Sequence, residues 1–243
     1  VQSIINSLYN QGYSKTVILR AKGVVSMTLD YAIGKNIKVY NFTRSVTIPR
    51  NAKRSERSAL TDAEIEAVAA HVNDEFGLYP FFLMYTGLRR GEALALQWRD
   101  VDMEHGIISI SKSIEFSSAA GRTKAPKTES GVRQIPILAP LVPYLKCAEP
   151  DDYVFGGSRH YSETMIRRRW DKYLSTTGLH ITQHQLRHTY ATMLYRAQID
   201  AKTAQHLLGH SDVSTTLNIY THIAKELDAD VTAKINAYLQ PEK

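Results

Sequence analysis

The sequence contains one cysteine, Cys147, among its 243 residues. A single thiol excludes a disulfide framework within the chain and fits a reducing cytosol. The sequence has no run of about 20 apolar residues, so it predicts no membrane span, and it shows no signal-peptide pattern. Its hydrophobic content of 43% is enough to build a core. We therefore expect a cytoplasmic protein that does not enter a membrane.

Acidic residues are the minority among the charges. Asp and Glu number 24 against 30 Lys and Arg, which gives a formal net charge of +6. A positive balance suits a polyanionic partner such as nucleic acid, although many proteins are mildly basic. The length fits one large domain, or one medium domain with a fragment of another.

The stretch from Thr182 to His222 combines two imidazoles, a guanidinium and a phenol with apolar residues at helical spacing. Thr182 can cap a helix on which His184 and Arg187 share a face near the start, where an anion is favoured. A second helix, Thr203 to Leu208, stops at Gly209, and His210 follows in the turn. Asp212 can cap a third helix, with Tyr220 near its end.

These residue types suit chemistry on a phosphodiester. A phenol titrates near ~10, so it attacks only if its proton is removed and its target is polarised. Arginine offers a fork of donors that matches a phosphate face, and histidine can donate to the phosphate or accept the phenol proton.

Two other interpretations of the same residues remain open on this evidence. His184 and His188 are four apart, but position 185 is Gln, so the metalloprotease pattern is absent. A structural metal site is a weak alternative with so few ligands. The L-L-G-H-S turn between helices also suits a helix-turn-helix, which would mean plain DNA binding.

Four motifs together resemble the tyrosine recombinase family, which includes the integrases of phages and conjugative transposons. Its C-terminal signature is matched by H-x-x-R, by L-G-H-S and by a tyrosine ten residues after the second histidine. T-G-L-R-R-G-E at Thr86 to Glu92 resembles its first arginine box, and A-P-K-T-E-S-G-V-R-Q-I-P-I at Ala125 to Ile137 its lysine hairpin. The resemblance implies a mainly α fold with a small antiparallel β-sheet, preceded by a partial helical domain.

The resemblance also implies a role for each matched residue in site-specific DNA strand exchange. The nucleophile would form a 3′-phosphotyrosyl link, and the other residues would hold the phosphate, accept the phenol proton or protonate the leaving 5′ oxygen. Lys124 is a rival to Lys127, because the hairpin register is uncertain by a residue or so. No metal, ATP or other cofactor is expected. The resemblance assigns Tyr220 as the nucleophile, His184 as the general base and Lys127 as the general acid. It assigns Arg89, Arg187 and His210 to binding the phosphate, and Glu92 to supporting Arg89.

The predicted organisation has three parts. Residues 1–50 carry two helical segments, Ile4 to Gln11 and Ser14 to Ile33, and resemble the last part of the family's core-binding domain. Residues 51–60 form a basic linker, and residues 61–243 form the catalytic domain with a tail helix at about 224–240. Because two short helices cannot close a core of their own, and the first residue is Val, we expect a fragment or a processed product.

Strands are predicted at Ile107 to Lys112, Ser113 to Ser118 and Val132 to Leu138, with a long basic hairpin between the last two. A short helix is predicted at Ala139 to Ala148 and a longer one at Tyr161 to Ser175. Basic residues of the stretch from Arg44 to Arg57, of the hairpin and of the longer helix are candidates for DNA contact, with a solvated surface as the alternative. These candidates are Arg44, Arg50, Lys53, Arg54, Arg122, Lys124, Arg167 and Arg168.

Double-stranded DNA carrying a recombination site is the expected partner. The family resemblance also implies a homo-tetramer on DNA joined through the tail helix, and accessory DNA-bending or directionality proteins. The expected location is the bacterial cytoplasm, on chromosomal or element DNA. A type IB topoisomerase, which uses similar chemistry to relax supercoils, and a non-catalytic DNA-binding regulator are the alternatives.

Overall fold

The computed structural model describes residues 1–53, 58–116, 121–124, 131–146 and 148–227, without the side chains of 222 and 225–227. Contacts divide the chain into two compact units, Val1–Arg57 and Ser58–Lys243. The predicted class, mainly helical with a small amount of antiparallel sheet, is confirmed. Within the described residues, no helix is both long and apolar enough to cross a membrane.

The described part of the first unit, residues 1–53, contains two α-helices and a short 3-10 helix. α1 spans Gln2–Asn10, α2 spans Lys15–Gly34 and the 3-10 helix spans Phe42–Ser45. Ser14 caps α2 by accepting a hydrogen bond from the Val17 backbone N–H. The core of this unit is small, as expected for so short a segment. It consists of Ile5, Ile18, Val46 and Ala52.

The second unit begins with three helices. α3 spans Asp62–Ala70 and opens with the predicted capping box between Thr61 and Glu64. α4, Leu78–Thr86, is apolar on nearly every side and is almost wholly buried in the main core. α5 spans Arg90–Ala95. Only Leu88 and Arg89 separate it from Gly87, the C-cap of α4.

Among the described residues, five short strands form two sheets. β1 (Val101–Asp102), β2 (Ile107–Ile110) and β5 (Arg133–Pro136) form one sheet, and β3 (Ser113–Glu115) pairs with β4 (Arg122–Lys124) in the other. The predicted single hairpin between 113–118 and 132–138 is therefore wrong. β5 pairs with β2 because this register places Ile135 opposite Ile108 and buries both. β4 lies within the segment predicted to be a loop.

The segment after β5, predicted as a short helix over Ala139 to Ala148, forms a 3-10 helix over Ala139–Tyr144. Pro143 lacks a backbone donor and disfavours the α conformation at Val142, so the helix cannot continue in the α form.

Four more α-helices lie between residues 148 and 227, the last stretch that the structure describes. α6 spans Glu163–Thr177, α7 Gln183–Arg196, α8 Ala201–Leu208 and α9 Val213–Leu227. Tyr220 lies in the middle of α9 and not near a helix end as predicted, because no glycine or proline interrupts residues 213–227. α7 packs on α4, α8 and α9, so the stretch rich in histidine and arginine is built into the core.

Candidate active site

Arg89 is placed by the start of α5. It occupies the N-cap position, and its backbone N–H donates to Glu92 Oε2 at 2.9 Å. Its guanidinium donates to Glu92 Oε1 at 2.8 Å and to the Gly209 carbonyl at 2.7 Å. The side chain is 46% exposed, so it is held on one side and reachable from the other.

Arg187 lies on the second turn of α7 and is buried, with 7% of its surface exposed. Its Nη1 donates to the Gly87 carbonyl at 2.6 Å, and its Nη2 donates to the Leu208 carbonyl. Arg187 therefore joins the turn that precedes Arg89 to the end of α8. The structure brings Arg89 and Arg187 together, because Arg89 binds the Gly209 carbonyl and Arg187 binds the carbonyl of the preceding residue, Leu208.

Arg133, on β5, belongs to the same cluster but was not predicted. Its side chain is fully enclosed. Nη1 and Nη2 donate to the two carboxylate oxygens of Glu92 at 3.2 and 2.9 Å, and Nε donates to the Leu207 carbonyl at 2.9 Å. The alternation of a strand places residue 133 on the same face as the buried Ile135, which signals an arginine that needs an internal partner.

Three successive carbonyls at the end of α8 thus each accept a hydrogen bond from a different arginine. Leu207 accepts from Arg133, Leu208 from Arg187 and Gly209 from Arg89. The last carbonyls of a helix have no partner within it and carry the negative end of its dipole, so guanidinium groups are stabilised there. The end of α8 is the frame on which the cluster is assembled.

Glu92 is the carboxylate within this positive cluster. Burial acts to raise the pKa of Glu92, but hydrogen bonds and charges from Arg133 and Arg89 outweigh it, so the pKa lies below its ordinary value. Burial, followed by the charge of Arg89, lowers the pKa of Arg187 to about 9. Three guanidinium groups around one carboxylate leave a positive excess that suits a phosphate.

His210 follows the α8 terminus directly. Its Nδ1 lies 2.9 Å from the hydroxyl of Thr216, a buried α9 residue that was also not predicted. Burial, and then the charges of Arg187 and Arg89, lower the pKa of His210 to about 4, so the ring is neutral at pH 7. If the Thr216 hydroxyl donates to Nδ1, then Nε2 carries the proton and can donate to an anion.

His184 is exposed in the first turn of α7, and its charge contributes to lowering the pKa of His210. His184 therefore lies close enough to His210 for its charge to act on that ring.

Tyr220 is directed elsewhere. Only 9% of its surface is exposed, its ring packs edge-on against Tyr195 at 5.0 Å, and its hydroxyl donates to the Ile199 carbonyl at 3.2 Å. Burial, and then the charge of Asp200, raise the pKa of Tyr220 to about 12. In this conformation the phenol is a protonated, packed side chain.

An open cleft of about 600 Å³ lies beside Arg89. Its wall includes Gly209, Ser211 and Lys124, and Lys124 also forms an ion pair with Glu115 across the β3–β4 hairpin. Lys127, the preferred hairpin lysine, lies outside the described residues, as does Arg54. The remaining DNA-contact candidates are exposed: Arg44, Arg50 and Lys53 in the first unit, Arg122 on β4, and Arg167 and Arg168 on α6.

The residues that the structure describes contain no group of three or more His, Cys, Asp or Glu side chains placed to hold a metal ion.

Residues 58–226 match the model of the phage integrase family. Among curated proteins, the chain is 26% identical over 272 residues to a XerC-like tyrosine recombinase of Caldanaerobacter subterraneus subsp. tengcongensis, covering 97% of this chain and 70% of the relative. It is 28% identical over 280 residues to the integrase of Staphylococcus phage L54a, covering 97% of this chain and 78% of the relative.

Solved structures show the same fold. The Tn1549 transposon integrase, in complex with a circular intermediate DNA, matches with a TM-score of 0.64 and 24% identity over 90% of this chain and 79% of that one. A lambda integrase dimer bound to a core site matches with a TM-score of 0.59 and 21% identity over 90% of this chain and 77% of that one.

Proposed function

This chain belongs to the phage integrase family, and on that premise we propose how its residues carry out site-specific DNA strand exchange. The protein is a tyrosine recombinase, an enzyme that cleaves and rejoins DNA strands, and double-stranded DNA is its partner. The assignment of individual residues to the reaction is our proposal.

One observation carries the proposal: Arg89 and Arg187 are fixed on the adjacent carbonyls of Gly209 and Leu208, and His210 follows in the chain. Donors fixed before the reaction stabilise developing charge without reorganisation, which makes such clusters effective on phosphoryl groups. Arg89, Arg187 and His210 hold the non-bridging oxygens of the scissile phosphate in this proposal.

The covalent step forms one bond and breaks another. The Tyr220 oxygen attacks phosphorus, the bond from phosphorus to the 5′ oxygen breaks, and a 3′-phosphotyrosyl link remains. The phenol proton goes to His184, and Lys127 supplies a proton to the leaving 5′ oxygen. The link conserves the phosphodiester bond energy, so a second 5′ hydroxyl can reverse the step without ATP.

Tyr220 must give up its hydrogen bond to the Ile199 carbonyl before it can attack, because that bond holds the hydroxyl on the backbone. Lys124 remains the alternative to Lys127 as the acid, and its place in the wall of the cleft beside Arg89 supports that alternative.

We further propose that residues 1–50 form the end of a core-binding domain, residues 51–60 a linker along DNA and residues 61–243 the catalytic domain. A tail helix at about 224–240 would join subunits into a tetramer on DNA, and accessory DNA-bending or directionality proteins would assist. The basic residues at the surface of both units support DNA contact.

Recombination is favoured over DNA relaxation by a topoisomerase and over DNA binding without catalysis. The matched family consists of integrases, and the curated relatives described above are a recombinase and an integrase. Neither a topoisomerase nor a non-catalytic regulator has a comparable observation in its support.

A nicked suicide substrate tests the catalytic assignment. Incubation with the parent chain should give a covalent protein–DNA complex on a denaturing gel, because the cleaved strand cannot rejoin. Tyr220→Phe should abolish the complex while retaining DNA binding in a mobility-shift assay. Tyr195→Phe, which alters the ring packed against Tyr220, is the matched control and should still form the complex. A covalent complex formed by Tyr220→Phe would refute the choice of nucleophile.

A further inference from the structure

Arg133 is the one guanidinium of the cluster that is fully enclosed, with no exposed side-chain surface. A buried arginine must be paired with a charge and have its donors satisfied, because an unpaired buried charge is strongly unfavourable. Arg133 meets this requirement with three contacts, two to the Glu92 carboxylate and one to the Leu207 carbonyl.

Glu92 is shared between Arg133 and Arg89. Its Oε1 accepts from Nη1 of both arginines, at 3.2 Å from Arg133 and 2.8 Å from Arg89, while Oε2 accepts from Arg133 and from the Arg89 backbone. A carboxylate held by a planar fork has few orientations available to it. The fork of Arg133 therefore fixes the carboxylate that in turn fixes the Arg89 guanidinium.

The third contact of Arg133 links this pair to the α8 terminus. Leu207 lies next to Leu208 and Gly209, whose carbonyls hold Arg187 and Arg89. Arg133 thus joins β5 to both supports of Arg89, namely Glu92 and the end of α8. α8 and β5 also pack directly against each other.

From this geometry we infer that Arg133 is a positioning residue for strand cleavage, acting on the scissile phosphate through Glu92 and Arg89. The inference rests on the proposed function of Arg89. Arg133 itself is enclosed, so it does not touch the DNA. Its loss should lower the rate of cleavage without weakening DNA binding, since the contacts it controls matter at the reacting phosphate.

Kinetics of the Arg133→Met variant test the inference. Single-turnover formation of the covalent complex should slow by about a hundredfold, the size of effect found when one donor to a developing charge is lost. The affinity for uncleaved DNA and the final yield of complex should stay close to those of the parent. A purely structural role would instead reduce the yield, because fewer molecules would be folded, and leave the rate constant unchanged.

Two further variants sharpen this result. Gln134→Met changes the next residue of β5, whose side chain is exposed, and should cleave at the parental rate. Arg133→Met added to Arg89→Ala should slow cleavage far less than it does alone, because residues that act through one another are not additive. A full additional hundredfold loss in the Arg89→Ala background, or parental kinetics of Arg133→Met, would overturn the inference. If Arg133→Met does not fold, Arg133→Lys keeps the charge without the fork and takes its place.

A crystal structure of the Arg133 variant decides the question without relying on activity. The Arg89 guanidinium should move off the Gly209 carbonyl, and an unchanged Arg89 would refute the positioning role. Covalent-complex formation by the parent chain tests the proposed function separately from this inference. A parent that forms no covalent complex counts against the catalytic assignment, whereas the position of Arg89 in the variant structure tests Arg133 alone.

Discussion

At the scale of single residues, the phenol of Tyr220 and the imidazole of His210 are both held in their neutral forms. Burial raises the pKa of Tyr220 to about 12 and lowers the pKa of His210 to about 4. A phenol with so high a pKa is not ionised in advance by a histidine, so its proton must leave as the bond to phosphorus forms. A base beside the attacking oxygen is therefore required.

The depressed pKa of His210 makes stability depend on pH. In the unfolded chain the ring takes up a proton near its ordinary pKa of 6.5, but in the folded protein it does so only near 4. The unfolded state therefore binds more protons between these values, and stability falls as pH falls through this window. Chemical denaturation at pH 7, 5.5 and 4.5 should show this decline.

The control for this pH prediction is His210→Gln, which cannot titrate. Its stability should fall less steeply than that of the parent over the same pH range. Equal slopes for the two proteins would show that His210 is not the group responsible. The charged groups that act on this ring are Arg187, Arg89, Arg133 and His184.

At the scale of elements, the α8 terminus holds the three arginines because its last carbonyls are unpaired within the helix. Gly209 ends α8 in the left-handed conformation, with φ +64°, which lets the chain turn sharply into His210. A Cβ at this position would lie 2.6 Å from Arg133 Nη1. Gly209 therefore serves both the turn and the space for the Arg133 guanidinium.

We expect Gly209→Ala to reduce both stability and cleavage. The left-handed backbone costs a non-glycine residue about 1–3 kcal/mol, and displacement of Arg133 adds to that cost. Gly178→Ala is a matched control, because Gly178 also ends a helix at φ +70° but has no neighbour within 4 Å of a Cβ. Urea denaturation and suicide-substrate assays of both variants measure the difference. Equal loss of stability in the two, with parental cleavage by Gly209→Ala, would contradict the expectation.

At the scale of the whole molecule, the positive excess predicts DNA binding that weakens with salt. Each phosphate contact adds about 0.9 to the slope of log affinity against log salt concentration. Replacing the exposed Arg167 and Arg168 of α6 by glutamine should reduce this slope if they contact phosphates. Fluorescence anisotropy with duplex DNA at several salt concentrations measures it.

The control for the salt prediction removes the same charge elsewhere. Arg99 and Arg196 lie outside α6 and are paired with Asp151 and Asp62, so replacing both by glutamine should leave the slope nearly unchanged. Equal slopes in the two double variants would argue against α6 as a DNA-contacting surface.

The proposed tetramer is tested by shortening the chain after Leu227. The shortened protein retains the arginine cluster and Tyr220, so it should still bind DNA, but it should lose the complex that contains four subunits. Analytical ultracentrifugation on DNA carrying the recombination site distinguishes these states. A tetramer formed by the shortened chain would contradict the role given to the tail.

The extent to which the sequence predicted the structure differs between local and long-range features. The helix starts at Thr61 and Thr182 and the stop at Gly209 were predicted, because capping depends on residues within one turn. The pairing of β5 with β2, and β4 itself, were missed, because strand partners are chosen by burial across the sheet. The short helix predicted from Ala139 was expected to reach Ala148, but the 3-10 helix ends at Tyr144.

The sequence by itself determined the mainly helical class, the order of the motifs and the membership in a family of recombinases, because these depend on residue types and their spacing. The tertiary structure alone decided that three arginines meet on the successive carbonyls of Leu207, Leu208 and Gly209. It also decided that Arg133 is enclosed and that the Tyr220 hydroxyl rests on Ile199. Those contacts join residues far apart in the chain, and packing selects them only once the core has formed.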